Sequence, residues 1–518
     1  MKMGQIIAFV LYFILVLGIG IYFFLRSKSG GEKEYFLGGR SMGPWVTAMS
    51  AQASDMSGWL LMGFPGSILA FGMGQVWIGI GLALGTALNW IIVARRLRRF
   101  SSAANDSITL PQYLTNRFAS KSPVLKIVCA IIFLVSFTVY VASAFNAGTT
   151  VFVAVLPKIF TGREELAMII FAVLILLYTF LGGYKAVCWT DFFQGLLMLI
   201  ALLAVPIVMV ATGDFDASKN EVFAEGVTAF SRNPFDAPWH EIVSGLAWGF
   251  GYFGMPHILV RFMVVEKSKM IKKSSSVAIT WLILTLGAAI AIAFLGRTFI
   301  LSDGNALADK LLPGSQARVF IEIVLDLFPG FIAGLLLAAI VAASMSTADS
   351  QLLVASSSFT SDIYNPIIRK GKASDKETLW MGRIVVAIIA VVAFFIARSG
   401  LTSTDSWASS IMAMVENAWG LFGASFGPVV ILSLFWKRFN YSGAVAGIIG
   451  GAITDILWLV LFTDTVMDPV VFDTQVYEIF PGFVVGAIVA VVVTLITKAP
   501  SQEVYDIYNK ALDASNDD

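Results

Sequence analysis

Long apolar stretches alternate with short polar segments along almost the whole chain. Stretches of about 20 residues are long enough to cross the hydrocarbon core of a bilayer as helices. Thirteen spans are predicted, and they begin near Ile6, Trp45, Val76, Ile127, Leu166, Phe192, Ile242, Val277, Phe331, Ile384, Ile411, Ala444 and Phe480. The first stretch, residues 6–25, is uncharged. Because it lacks a small-residue cleavage signal, we expect it to be retained as a helix.

Two of these stretches are interrupted near their middle. Residues 53–66, ASDMSGWLLMGFPG, contain an acid, small residues and a proline, and residues 248–256, WGFGYFGMP, contain three glycines and a proline among aromatic residues. Unpaired backbone groups inside a bilayer are costly, so such breaks are tolerated where they line a protein cavity or bind an ion. Both segments are therefore predicted to line the binding site of a carrier.

The spacing of the two breaks predicts their relative orientation. They lie in the second and the seventh predicted spans, which are five spans apart. A helix that comes an odd number of crossings later runs in the opposite direction, so the broken helices are predicted to be antiparallel and to face each other near the midplane. This pattern predicts an all-α membrane protein with two five-helix repeats of inverted topology.

Five regions follow from this prediction. They are residues 1–44, an accessory helix with a loop; residues 45–240, the first repeat; residues 241–439, the second repeat; residues 440–500, two C-terminal helices; and residues 501–518, a short tail.

Composition agrees with a protein that crosses the membrane many times. Of 518 residues, 58% are hydrophobic and 13% are charged, whereas soluble domains have about half and a quarter. The net charge of +1 gives no indication of a nucleic-acid partner. Of the 35 Lys and Arg residues, 26 lie on one side of the predicted membrane, which the positive-inside rule identifies as cytoplasmic. The N-terminus is therefore predicted to be outside and the C-terminus cytoplasmic.

Small and hydroxyl-bearing residues in the ninth predicted span suit a monovalent cation. The carbonyl of Ala343 and the side chains of Ser346 and Thr347 share one helix face. Neutral oxygens without a carboxylate favour Na⁺ over Ca²⁺, and the carbonyls of Ala53 and Met56 in the first break would complete the set. Alternatively, both hydroxyls bond to carbonyls one turn earlier, as helical Ser and Thr often do.

Acidic residues inside predicted spans are functional candidates because an unpaired buried charge is costly. Asp55 lies in the first break, where it either binds sodium directly or supports the unwound backbone. Asp191, at the predicted start of the sixth span, either caps that helix or lies on an ion pathway. Glu416 and Asp455 also lie at membrane depth, and the sequence assigns them no partner.

Aromatic residues near the breaks are candidates for a solute pocket. Trp248 and Tyr252 share a helix face, and Tyr140 lies in the middle of the fourth span. Aromatic walls with few polar groups suit a small solute with an apolar body and a charged end, although such residues also serve as packing or interface anchors. The N–H groups at Ser57 and Gly58, where the outer half-helix begins, could bind a carboxylate. An amino acid fits this pattern.

The sequence gives little support for enzymatic or ATP-driven chemistry. His240 and His257 are the only histidines, and the chain has no G-x-x-x-x-G-K-[ST] motif. Cys129 and Cys188 lack metal-ligand spacing and are predicted to be buried hydrophobic residues without a disulfide. We therefore expect an ion-driven carrier that is not an enzyme.

Several long segments of the chain match a known family. They include YFLGGRSMGPWVTAMSAQASDMSGWLLMGFPG, LYTFLGGYKAVCWTD, WGFGYFGMPHILVRFM and AASMSTADSQLLVASS. In their order and spacing they resemble the sodium/solute symporter family, over residues 35 to 498 approximately.

The resemblance implies a LeuT-type core of two inverted five-helix repeats, with one extra N-terminal helix and two extra C-terminal helices, in a bacterial-type plasma membrane. It also implies uptake of L-proline coupled to Na⁺, with no organic cofactor and no obligate protein partner. The implied sodium ligands are Ala53, Met56, Ala343, Ser346 and Thr347. The implied proline-binding residues are Ser57, Gly58, Tyr140, Trp248, Tyr252 and Pro256.

Three further positions, Arg40, Asp55 and Asp191, match polar residues that the family links to sodium coupling. Two other functions are open on the sequence. One is sodium symport of a different small solute, such as another amino acid, pantothenate or a sugar. The other is a transporter-like membrane sensor, although the short tail supplies no output domain.

Overall fold

A computed structural model describes residues 3–26, 40–107, 109–212, 231–300, 315–403, 407–463 and 471–513. Within these residues the regular elements are helices. The α-helices are α1 (Met3–Arg26), α2 (Pro44–Asp55), α3 (Phe64–Phe71), α4 (Val76–Leu88), α5 (Ala94–Ala103), α6 (Leu110–Arg117), α7 (Val124–Val155), α8 (Pro157–Phe160), α9 (Glu164–Thr212), α10 (Trp239–Ala247), α11 (Pro256–Met263), α12 (Ile271–Ile300), α13 (Val319–Leu327), α14 (Gly330–Ser358), α15 (Asp375–Thr402), α16 (Ile411–Phe435), α17 (Tyr441–Leu461), α18 (Ile479–Ile496) and α19 (Gln502–Leu512).

Other helical geometries connect some of these elements. The π-helical segments are Trp59–Gly63, Asn89–Val93 and Phe359–Ile368. The 3₁₀ segments are Met73–Gln75, Pro234–Asp236, Trp248–Phe253, Ser268–Met270, Gln316–Arg318 and Trp407–Ser409.

Ten helices in the described part of the chain are long and apolar enough to cross a membrane. They are Met3–Tyr22, Met73–Ala103, Val124–Val155, Gly183–Thr212, Ser268–Arg297, Gly330–Ile368, Asp375–Thr402, Ile411–Phe435, Tyr441–Leu461 and Ile479–Ile496. The other three predicted spans are the two broken stretches and the part of α9 that precedes Gly183. At Gly183 the backbone (φ 60°, ψ 177°) adopts a conformation that is essentially restricted to glycine. The count of thirteen spans stays a prediction.

Both predicted interruptions are confirmed. α2 ends at Asp55, Met56 leaves helical geometry (φ −81°, ψ 82°), and the chain resumes as a π-helix at Trp59. In the second stretch α10 gives way to the 3₁₀ segment Trp248–Phe253, and Met255 is extended (ψ 109°) before Pro256 begins α11.

Two contacts join the broken stretches, and they occur in opposite order along the chain. Met42, just before α2, pairs with Val265, just after α11. At the opposite end of α2, Asp55 meets Tyr252, which precedes α11. Because the partner's number falls as the residue number rises, the two stretches run in opposite directions. Their unwound segments therefore meet.

α14 is the most central helix beside the first break. Every residue from Leu336 to Ser358 is buried, and the helix is rich in Ala and Ser. A helix that is buried all round lies inside the bundle, and small side chains allow its neighbours to approach closely. α14 packs against α1, α2, α7 and α9. The hydroxyl-bearing face of α14 is thereby brought next to the end of α2.

Candidate functional site

The break after α2 frees the carbonyl of Ala53. In a continuous helix this oxygen would accept a hydrogen bond from the Ser57 N–H, but that N–H donates to the carbonyl of Asp55 at 3.0 Å. The hydroxyl of Ser346 in α14 donates to Ala53 O instead, at 2.7 Å. The same hydroxyl oxygen lies 3.1 Å from the carbonyl oxygen of Ala343. Three of the five predicted sodium ligands are therefore in contact.

The other two predicted ligands adjoin these three along the chain. Thr347 follows Ser346 and is fully buried, and its hydroxyl has no hydrogen-bond partner among the described residues. Met56, also fully buried, ends α2 with its backbone outside helical geometry. The alternative, in which both hydroxyls bond to carbonyls one turn earlier, therefore holds in part for Ser346 and does not hold for Thr347. Neutral oxygens and an unpaired buried hydroxyl form a donor set that fits a hard monovalent cation.

Asp55 links the two breaks. The hydroxyl of Tyr252 donates to Asp55 Oδ2 at 2.7 Å. The carbonyl of Asp55 accepts hydrogen bonds from Tyr140 Oη at 3.3 Å and from Trp59 Nε1 at 3.2 Å. All four residues are buried. Of the two roles open to Asp55, these contacts fit support of the unwound backbone.

Four aromatic side chains, Trp248, Tyr252, Trp419 and Tyr477, form what we call the aromatic wall. The Trp248 ring lies 6.3 Å from the Trp419 ring and 5.1 Å from the Tyr477 ring, and the Tyr252 ring lies 5.0 Å from the Trp419 ring. Trp419 Nε1 donates to the carbonyl of Trp248 at 2.8 Å. A Cβ atom at Gly251 would overlap the indole of Trp419, so glycine is needed for this approach. The wall is buried.

The remaining predicted substrate residues lie at the two breaks. Gly58 starts the outer half of the first broken helix, where a Cβ atom would lie 2.6 Å from the Cβ of Ala147 in α7. Ser57 directly precedes it and is buried. Pro256 occupies the first position of α11, where its missing N–H leaves no hydrogen bond unmade. The unwound segments thus bring small residues beside the aromatic wall.

Asp191 lies in a buried ion pair. Its Oδ2 is 3.0 Å from Arg261 Nη2, and the two side chains are at most 1% exposed. The Ser50 hydroxyl donates to the same carboxylate oxygen at 2.7 Å, and Arg261 Nη2 donates to Ser350 Oγ at 2.5 Å. Ser50 and Ser350 lie about one helical turn from Ala53 and Ser346. The ion pair therefore adjoins the sodium candidate.

The helix-capping role considered for Asp191 is wrong. The helical segment that contains Asp191 begins after the break at Gly183, so the carboxylate lies well inside α9. The apolar run at Phe192 marks the start of continuous hydrophobicity but not the start of the helix. Nothing in the sequence context of its partner Arg261 indicates an ion pair.

Arg40 lies away from the sodium candidate. Its guanidinium donates to the carbonyls of Met263 at 2.7 Å and Ser107 at 3.0 Å, and it forms an ion pair with Asp106 at 2.8 Å. Burial, together with the charge of Arg98, lowers the pKa of Arg40 to about 10, so it remains charged at pH 7. Arg40 therefore fixes the end of α11 to the segment after α5.

Comparison with known proteins assigns the family. The sodium:solute symporter family matches residues 35–451. The chain belongs to this family. The sodium/proline symporter of Escherichia coli K12 is 42% identical over 501 residues, covering 96% of this chain and 94% of that protein. The sodium/proline symporters of Salmonella typhimurium LT2 and Staphylococcus aureus JH9 are 40% and 41% identical, and each alignment covers at least 94% of both proteins.

Solved structures of similar fold agree with the family. A Na⁺-coupled sialic acid symporter in a substrate-bound outward-open state has a TM-score of 0.71 at 19% identity, and the alignment covers 96% of this chain and 98% of that one. A nucleobase-cation-symport-1 family transporter in a closed conformation has a TM-score of 0.53 at 13% identity, with coverage of 93% and 99%. This symporter family member therefore has a transporter fold shared across low sequence identity.

Sequence reasoning missed three residues around the site of this family member: Arg261, Trp419 and Tyr477. Each reaches the site from another part of the chain. The sequence did give an indication for Trp419, which lies in the same predicted span as Glu416. A buried indole N–H needs a hydrogen-bond acceptor, so a contact with another part of the chain could be expected. Tyr477 lies in the connection between α17 and α18, two residues before α18 begins.

Proposed function

We propose that the chain is a secondary active transporter that carries L-proline into the cell together with Na⁺. The observation that carries this proposal is the contact between the freed carbonyl of Ala53 and the Ser346 hydroxyl, beside the unpaired hydroxyl of Thr347. Relatives named sodium/proline symporter, at about 40% identity over nearly their whole length, support proline as the solute. The chain is not proposed to be an enzyme.

Sodium has a structural task in this proposal. The carbonyls of Ala53 and Met56 belong to the first break, and the oxygens of Ala343, Ser346 and Thr347 belong to α14. A cation held by both sets ties the broken helix to α14 and relieves the unpaired oxygens. Sodium binding therefore fixes the position of Ser57 and Gly58, and with it the proline site.

Proline binding follows from the two breaks together. We expect the carboxylate to bind the N–H groups that begin the outer half-helix at Ser57 and Gly58, since helix N-termini favour anions. The pyrrolidine ring would pack against Trp248 and Tyr252. Because Tyr252 also donates to Asp55, a solute at the wall acts on both breaks at once. Closure of the two breaks around proline is the proposed occluding step.

The sodium gradient supplies enough free energy for accumulation. One charge that moves through 100 mV releases about 2.3 kcal/mol, and a tenfold concentration gradient adds about 1.4 kcal/mol. One-to-one coupling could therefore concentrate proline about several hundred-fold.

The proposed architecture is a LeuT-type core of two inverted five-helix repeats, residues 45–240 and 241–439, with accessory segments 1–44, 440–500 and 501–518. The antiparallel course of the broken stretches supports the inversion. The protein is placed in a bacterial inner membrane with its N-terminus outside and its C-terminus in the cytoplasm, in keeping with the positive charge and the bacterial relatives.

Labelling of single cysteines tests this orientation. Phe235→Cys, at a 73% exposed position between α9 and α10, is expected to react with a membrane-impermeant maleimide in intact cells. Lys510→Cys in α19 is expected to react only after permeabilisation. The native Cys129 and Cys188 are buried thiols and provide the background level. The reverse pattern of labelling would invert the proposed topology.

Radiolabelled proline uptake into proteoliposomes tests the function directly. We expect accumulation above equilibrium when a sodium gradient is imposed, and no accumulation with a potassium gradient of equal size. Unlabelled pantothenate, sugars and other amino acids should compete less well than proline. Sodium-dependent uptake of a competitor but not of proline would reassign the solute. Sodium-independent equilibration would indicate a passive channel, and binding without flux would indicate a sensor.

Trp248→Ala is expected to affect the solute more than the ion. Loss of aromatic contact with proline should raise the KM for proline about tenfold or more, since burial of a large apolar side chain contributes about 1.5–3 kcal/mol. The KM for sodium should change less than about threefold because the ring of Trp248 packs on Trp419 and Tyr477, which are not proposed sodium ligands. Trp239→Ala, at a 68% exposed position in α10, is the matched control. A larger effect on sodium would remove Trp248 from the proline pocket.

A further inference from the structure

Two buried acids lie where α16, α17 and α18 meet, and the site described above does not use them. Asp455 is in α17, and Glu478 immediately precedes α18; the residues are 2% and 1% exposed. Gly420 of α16 is their common neighbour. A Cβ atom at Gly420 would lie 3.1 Å from Asp455 Oδ1 and 3.2 Å from Glu478 Oε1. Because both distances are measured from the same Cβ position, the separation of the two carboxyl oxygens cannot exceed their sum.

Both oxygens lack a partner. Asp455 Oδ1 and Glu478 Oε1 are buried and have no hydrogen bond to any described residue. The ion pairs found in the described part of the chain involve neither acid. Asp191 shows the contrast, because its Oδ2 lies in an ion pair with Arg261 and accepts a hydrogen bond from Ser50. An acid pair without a cation requires another source of positive charge.

The missing side chain of Gly420 leaves space for these oxygens. A Cβ atom at this position would lie closer to both oxygens than ordinary van der Waals contact. Both carboxyl groups thus face one small volume beside Gly420. Two unpaired carboxylates that share such a volume in an apolar environment do not both remain ionised, because like charges and desolvation each favour protonation. A proton taken from water is the smallest cation that resolves the conflict.

We propose that Asp455 and Glu478 form a proton-binding site that holds one proton between a carboxylic acid and a carboxylate, and that occupancy of this site favours proline binding. The link between the proton-binding site and proline binding rests on the proposed function. The neighbouring titratable groups are Glu416 of α16 and Tyr477, which precedes Glu478 and donates a hydrogen bond to the carbonyl of Glu416. Glu416 adds further negative charge, so it reinforces proton binding.

The pair is covalently adjacent to the aromatic wall. Gly420 follows Trp419, which packs against Trp248 and Tyr252. Glu478 follows Tyr477, whose ring lies 5.1 Å from that of Trp248 and whose hydroxyl donates to the carbonyl of Glu416 at 2.8 Å. Loss of the proton makes the two acids repel each other and moves the start of α18, with Tyr477, away from α17. The wall then loses its support, and affinity for proline falls as the pH rises.

Infrared spectroscopy of the purified full-length chain tests the proton directly. The carbonyl stretch of protonated carboxylic acids is compared at pH 7 between the wild type and Asp455→Asn/Glu478→Gln, with D₂O exchange to identify the band. The expected result is a loss equivalent to one carboxylic acid and one carboxylate. Loss of two carboxylates with no loss of acid would overturn the proposal. Asp506→Asn, an exposed position in α19, is the control and should remove one carboxylate only.

Proline binding at saturating sodium tests the link to the wall. Between pH 6 and pH 9 the wild-type Kd for proline is expected to rise about tenfold, while that of the double variant changes less than about twofold. If the double variant does not fold, Asp455→Asn alone should flatten the same profile. An equally steep profile in the variants, or none in the wild type, would remove the link. Absence of proline binding at every pH would overturn the proposed function and leave the infrared result to decide the proton site.

Discussion

Thr347→Ala is expected to raise the sodium concentration needed for half-maximal proline uptake by about 10- to 100-fold, which corresponds to the loss of a ligand contribution of about 1.5–3 kcal/mol. The Thr347 hydroxyl is buried in α14 without a partner among the described residues. Alanine removes this oxygen and leaves the neighbouring Ser346 and its contact with Ala53 in place. The variant therefore tests one ligand without opening the interface between α2 and α14.

The matched control is Thr347→Ser, which keeps the hydroxyl and removes only a methyl group. We expect this variant to retain sodium dependence within about threefold of the wild type. Ser346→Ala is expected to be at least as harmful as Thr347→Ala, because it also removes the hydrogen bond to Ala53. Sodium stimulation that is unchanged in Thr347→Ala vesicles would remove this residue from the proposed ion site.

Local pattern was enough to predict the helices and the breaks. Glycine and proline within 248–256, and an acid with small residues within 53–66, contradict a continuous span, and the chain unwinds at both places. The relative orientation of the two broken helices was predicted by counting membrane crossings, since helix direction alternates from one span to the next. Two spans were predicted here, beginning near Leu166 and Phe192, but the break lies at Gly183, because the helix resumes before the continuous apolar run begins.

Contacts between distant elements were less accessible from sequence. The pairing of Asp191 with Arg261 joins α9 to α11, and the packing of Trp419 on Trp248 joins α16 to the second break. Hydrophobic periodicity and composition describe one helix at a time, and they do not specify which helix faces pack against each other. The approach of Ala53 to Ser346 was predicted because the freed carbonyls of the first break complete the set of neutral oxygens in α14, and the resemblance to a family implied the same ligands. Arg40, which the resemblance links to sodium coupling, contacts Met263 and Asp106.

The pairing of Asp191 with Arg261 predicts the largest effect on stability. Asp191→Leu leaves the guanidinium of Arg261 buried, with three neutral acceptors among the described residues: Ser50 Oγ at 3.1 Å, Ser350 Oγ at 2.5 Å and the His257 carbonyl at 2.7 Å. An uncompensated buried charge is expected to lower the free energy of unfolding by about 3–5 kcal/mol. The measurement is denaturant unfolding of the detergent-solubilised protein, with folding followed by tryptophan fluorescence.

The double variant Asp191→Leu/Arg261→Met separates charge from packing. Because both charges are then absent and the volume is roughly kept, most of the lost stability should return. Arg398→Met, which breaks an exposed pair with Glu165 at 2.9 Å, should change stability by less than about 1 kcal/mol. A double variant as unstable as Asp191→Leu would mean that the hydrogen bonds of Ser50 and Ser350, and not the opposed charges, hold α2, α9, α11 and α14 together below the ion site. In that event the ion pair would result from the packing around the sodium site and would not stabilise that packing.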